Sequence, residues 1–115
     1  MIKWYPNLYL DSITEKREKK IKKKMEQGRR NVLYYCIALA SNPKNLFDII
    51  YTDELLFQYY RRKEIYIIGL ASSRESAVYM VKDIVAELYT NTGGFDARSY
   101  FQRLELSGLS ESMER

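Results

Sequence analysis

The residues in this chain best suited to chemistry are cations, and they are crowded together. Lys16, Arg17, Lys19, Lys20, Lys22, Lys23 and Lys24 fall in one short run, and Arg29 and Arg30 follow just beyond it. Ammonium groups at this density attract phosphate backbones by releasing condensed counterions. The run therefore reads as a nucleic-acid or polyanion site carried by Lys16, Lys19, Lys20, Lys23, Lys24, Arg29 and Arg30. The same pattern also describes a solvated helix face, because lysine forms helices well. Contact with anionic lipid is a third reading, for which the apolar side of the run is thin.

A second basic cluster, Tyr59-Tyr60-Arg61-Arg62-Lys63, sets aromatic rings beside guanidinium groups. Rings stack on unpaired bases while Arg61 and Arg62 hold phosphates. Basic residues also collect at helix C-termini, where the dipole is negative, and this accounts for the cluster without a ligand. Two turns after apolar runs, Ser41-Asn42 and Ser72-Ser73-Arg74, stand where open α/β sheets bind ligands. Ser72, Ser73 and Arg74 would form an anion site there, although helix capping explains the serines equally well and neither turn has the glycines of a phosphate loop. Thr92-Gly93-Gly94-Phe95-Asp96-Ala97-Arg98 places an acid and a base around two glycines, which suits a catalytic loop less well than a helix terminus.

The chain has no histidine and a single cysteine, Cys36. The commonest general base and the commonest metal ligand are thus missing. No cofactor and no metal are expected, and catalysis is disfavoured, although Asp, Glu, Lys and Tyr can all transfer protons. Cys36 lies inside the apolar run Val32 to Ala40 and reads as core. That run is too short to span a bilayer, and the N-terminus lacks the apolar region of a signal peptide, so a cytoplasmic location is expected. Residues 1–31 contain ten Lys/Arg and four Asp/Glu, and residues 32–115 contain nine and eleven, so the excess positive charge belongs to the N-terminal segment.

Certain elements must position these groups. Residues 12–27 read as one helix, with Ser12 and Glu15 as its capping box and Gly28 as its stop. Ile21 and Met25 form its narrow apolar stripe. Residues 32–40 and 64–71 read as buried strands, being β-branched or aromatic without turn residues. Residues 43–60 read as a helix, or as two short ones, entered through Pro43 and with a second cap at Thr52-Asp53-Glu54. Residues 73–91 read as a helix capped by Ser72 with Glu75, with Ala77, Val81, Ile84, Val85 and Leu88 on one face. Residues 2–10 suit an edge strand or an aromatic arm, 99–106 a strand or helical turn, and 109–115 a flexible tail.

Tyr35-Cys36-Ile37-Ala38-Leu39-Ala40-Ser41 is echoed by Tyr66-Ile67-Ile68-Gly69-Leu70-Ala71-Ser72. The echo suits a repeated strand-to-helix unit, and a right-handed crossover would then set the two strands parallel. The expected fold is one α/β domain over residues 1–108, with a small sheet whose two central strands, 32–40 and 64–71, are parallel and flanked by three helices at 12–27, 43–60 and 73–91. The function expected first is a non-catalytic binding or accessory protein acting by protein association, with homo-oligomer formation through the aromatic arm of Trp4, Tyr5 and Tyr9 or an exposed sheet edge. Nucleic-acid binding by residues 12–30 is the alternative. A small enzyme or anion-binding domain using the turns at 41–42 and 72–74 is the second.

Overall fold

In the computed structural model, residues 2–40, 42, 44–61 and 63–114 are described, and for 58, 59 and 107–114 only the backbone is. The architecture is α/β. A four-stranded mixed sheet runs in the order β1-β4-β2-β3, formed by β1 (Ile2–Leu10), β2 (Tyr35–Leu39), β3 (Phe47–Tyr51) and β4 (Ile65–Ala71). The helices are α1 (Ser12–Glu15), α2 (Glu18–Glu26), α3 (Gln58–Arg61), α4 (Arg74–Thr92) and α5 (Ala97–Glu114), with a 3-10 helix at Thr52–Leu56. α5 takes in most of the segment expected as a tail.

The two strands read from apolar runs are the central pair, but they are antiparallel rather than parallel, with Tyr35 opposite Ala71 and Cys36 opposite Leu70. The parallel pair is β1 with β4. The reversal comes from the stretch expected as a helix over 43–60. Its first part is β3, antiparallel to β2, with Phe47 opposite Leu39 and Tyr51 opposite Tyr35. Phe47, Ile49 and Ile50 satisfy a helical spacing, but β-branched and aromatic residues at this density fit a pleated, half-buried surface better. After β3 the chain returns through the 3-10 helix and α3, so β4 starts beside the end of β2 and runs against it. The strand-to-helix repeat is thereby excluded, because the first copy leads into β3 and only the second enters a helix.

Each sheet face buries its own core. On one face Ile37, Leu39, Ile68 and Ala71 meet Ala77, Ile84 and Leu88 of α4 and Tyr100 and Phe101 of α5. Residues 99–106 are helical because Ala97, Tyr100, Phe101 and Leu104 form a stripe at three- and four-residue spacing that docks here. Phe101 is fully buried and takes the edges of Tyr5 at 5.1 Å and Tyr100 at 5.3 Å. On the other face Cys36, Ala38, Ile50, Ile65, Ile67 and Leu70 meet Ile21 and Met25 of α2. Cys36 is core, as its setting in the sequence implies, and burial pushes its thiol up far from a reactive thiolate.

The segment 2–10 supplies the edge strand that two central strands need. Its rings are used inside the chain: Tyr5 is buried, and Tyr9 donates to Glu87 at 3.1 Å. The absence of a side chain at Gly69 eases the close approach of β1 to β4. A Cβ there would stand 3.0 Å from the Met80 sulfur and 3.1 Å from the Tyr9 carbonyl oxygen.

The helix expected over 12–27 is two helices. Asp11, not Ser12, is the cap: its carboxylate accepts the backbone N–H groups of Ile13 and Thr14, at 3.1 and 2.8 Å. The buried Thr14 hydroxyl donates to the Leu70 carbonyl at 3.0 Å, which holds α1 at the end of the sheet. Ile21 and Met25 must dock on the sheet's face instead. The chain meets both demands by turning at Lys16 and Arg17 before α2 begins. The cap of α4 likewise moves by one position, with the Ser73 hydroxyl accepting the Ser76 N–H at 3.1 Å, and Gly93, at φ 71°, ends that helix. Among the described residues no helix is long and apolar enough to cross a membrane.

Candidate polyanion-binding surface

The lysine run becomes a directed surface once α2 is anchored. Ile21 and Met25 are buried against the sheet, so the helix has one permitted rotation. At 3.6 residues per turn, Lys19, Lys20 and Lys23 then occupy the side opposite the sheet and are exposed, and Lys24 flanks them half-buried. Among the described residues no hydrogen bond or ion pair engages these four ammonium groups. Lys16 ends α1 and is exposed in the turn before α2, so it is not carried on the same helix as Lys19, Lys20, Lys23 and Lys24. Lys22 points to the other flank, where its ammonium lies 5.2 Å from the centre of the Trp4 ring. The Trp4 indole N–H donates to Glu26 at 2.7 Å, fixing the end of α2 on β1.

The two basic clusters, remote in sequence, share a groove. Gly28, at φ 68°, ends α2 and turns the chain toward Arg29. The 3-10 helix and α3 return along the same sheet face, where Leu55 and Tyr60 pack against the core that holds Ile21 and Met25, and bring Arg61 to the same groove. A cleft of about 510 Å³ lies between them, with Arg29 and Arg61 in its lining and Ile2, Met25 and Ile65 as apolar floor. Leu55, Leu56 and Tyr60 complete one wall. Arg29, Arg30 and Arg61 are exposed. Arg62 lies outside the described residues, as does the side chain of Tyr59. No motif announces this groove: its floor residues are separated by up to sixty-odd positions of sequence, and only the β1–β4 pairing sets Ile2 opposite Ile65.

The strand-end turn is filled from within. Where Ser72, Ser73 and Arg74 would receive an anion, the chain supplies its own carboxylate, Asp11. Asp11 Oδ2 accepts the Ser72 N–H at 2.6 Å and the Ser76 hydroxyl at 2.8 Å. Burial pushes this carboxyl up, but hydrogen bonds from the backbones of Thr14 and Ser72 and from Ser76 outweigh it and hold the group well below the usual carboxylate range. Arg74 is exposed in the first turn of α4. Of the other turn, Ser41 lies outside the described residues, and the Asn42 carboxamide accepts the Lys44 N–H at 3.0 Å, closing the turn locally.

Several other acid and phenol groups are engaged internally. Asp96 accepts the Ser99 N–H at 3.2 Å as a helix cap, and Arg98 donates to the Ala40 carbonyl at 3.4 Å. Tyr66 donates to Glu105 at 2.6 Å. Burial first, then the neighbouring carboxylates, raises the phenols of Tyr9 and Tyr66, so both stay protonated donors. Among the described residues no cluster of His, Cys, Asp and Glu could hold a metal ion. No protein-family model, no curated protein and no solved structure matches this chain.

Proposed function

We propose that this chain is a non-catalytic binding protein whose working surface is the basic face of α2, and that its partner is the phosphate backbone of a nucleic acid. The observation that carries the reading is the arc of Lys19, Lys20 and Lys23, turned away from the sheet, with Lys24 on its flank and no carboxylate in contact with the four. Like charges four apart on a helix destabilise it, here at 19–23 and 20–24. A polyanion laid along α2 relieves that repulsion and releases its own counterions. Arg29 and Arg61 extend the positive surface past the helix end. Tyr9, Tyr66 and Asp11, three of the groups able to serve acid–base chemistry, are held in internal hydrogen bonds.

The test is fluorescence anisotropy with labelled DNA and RNA at low and physiological salt. Weak, sequence-independent binding that fades as salt rises is expected, and replacing Lys19, Lys20, Lys23 and Lys24 with glutamine abolishes it while the fold persists. No binding at low salt, or binding that vanishes well below physiological salt, overturns the reading.

A second reading, association with protein, draws on a separate feature. Tyr89 and Phe95 stack at 5.2 Å and remain 55% and 53% exposed, in the helical layer away from α2. Light scattering at high micromolar concentration tests the self-association form of this reading, and monomer alone overturns that form.

A further inference from the structure

We infer that the groove beside α2 accepts an unpaired base, so that the chain prefers single-stranded to duplex nucleic acid. This rests on the phosphate-binding reading above and adds the class of substrate.

The lysine face cannot distinguish one polyanion from another, because it offers only charge. The groove offers two kinds of surface at once. Its floor, Ile2, Met25 and Ile65, and its wall of Leu55 and Leu56 are apolar. Arg29 and Arg61 supply guanidinium groups from different elements. Its volume of about 510 Å³ lies within the roughly 300–1,000 Å³ usual for ligand clefts. A sulfate or a lipid headgroup would meet the arginines and leave that floor uncovered. A nucleotide covers both, with its phosphates at the arginines and its base on the apolar floor. Tyr60 adds a ring to the wall, and base–aromatic stacking is tolerant of sequence.

Access decides the rest. In a duplex the bases are paired and stacked, and their flat faces are closed to a lateral slot. A single strand offers base faces freely, and its next phosphates can follow α2 toward Lys24, Lys20 and Lys23. Glu26 also lines the groove, with its carboxylate held by the Trp4 indole N–H at 2.7 Å, and the Asp53 carboxylate accepts the Asn31 N–H at 3.0 Å.

The experiment is an anisotropy titration of the full chain with labelled oligouridine, oligothymidine and a duplex of equal charge, at one low salt concentration. Single strands are expected to bind about fivefold tighter than duplex or more, the effect of one stacked base. The two single strands separate an RNA from a DNA preference. Leu56→Gln makes part of the apolar wall polar without changing charge or adding a ring, and is expected to bring the ratio toward one while duplex binding persists. Equal or tighter binding of duplex by the native chain overturns the inference and leaves the phosphate-binding reading standing. A ratio unchanged in a folded Leu56→Gln variant overturns it as well. Loss of binding to all three probes overturns the reading beneath it.

Discussion

The Asp11 carboxylate accepts the backbone N–H of Ser72 at 2.6 Å, joining the C-terminal ends of the parallel strands β1 and β4. The same side chain caps α1 and takes the Ser76 hydroxyl of α4, so one residue ties four elements together. Replacing it with alanine strands the donors around it. Asp11→Ala is expected to cost about 2–3 kcal/mol, the sum of a lost cap and lost charged hydrogen bonds, in urea denaturation.

The site also makes stability depend on acid. The folded carboxyl titrates below its unfolded value of about 3.9. Its contribution is therefore complete above that value and is lost as pH falls through the lower folded pKa. The stability gap between the native chain and Asp11→Asn should narrow at pH values below about 4. A gap of constant size across that window would show that Asp11 does not carry the acid dependence.

The lysine face predicts a salt slope. If Lys19, Lys20, Lys23 and Lys24 each neutralise one phosphate, the glutamine variant flattens the plot of log affinity against log salt for duplex DNA by about 3 to 4. Single lysine substitutions should each change it by about 1. An unchanged slope in the quadruple variant would locate the contact elsewhere.

Anchoring of α2 is expected to be cooperative with the sheet. Ile21 is 2% exposed, and Ile21→Ala should cost about 2–4 kcal/mol through the cavity it leaves. Because Lys22 and Glu26 hold Trp4 from the same helix, loosening α2 shifts the emission of this lone tryptophan. A destabilised variant with unaltered Trp4 emission would mean that α2 stays docked.

Gly69 tests the join between the edge strand and the sheet. The Met80 sulfur can move away from an added methyl group, but the Tyr9 carbonyl belongs to the β1 backbone. Gly69→Ala is expected to lower stability by about 1–3 kcal/mol, and amide hydrogen exchange should rise first in β1. Faster exchange in β3 instead would contradict the assignment.

Features that depend on near neighbours were readable from the residues alone. The two central strands were legible from their β-branched runs, α4 from its apolar stripe and the glycine after it, and the rotation of α2 from Ile21 and Met25. Each is set by a local period or by a terminal residue. Two capping signals were legible only to within one position, because Asp11 lies beside Ser12 and Ser73 beside Ser72, and any of these side chains can accept the same N–H groups. The 97, 100, 101, 104 stripe of α5 was present but falls largely in a segment too short and polar to exclude a strand. Strand direction was set by long-range packing, because Phe47 to Tyr51 suits either period and the sense of β4 depends on whether that stretch crosses the sheet or joins it. Such packing also decided the break at Lys16 and Arg17, where Thr14 and Ile21 are drawn to different parts of one sheet. The groove belongs to the same class. Arg29 and Arg61 line one cleft because two segments return along a common face, and no spacing within either segment encodes the distance to the other.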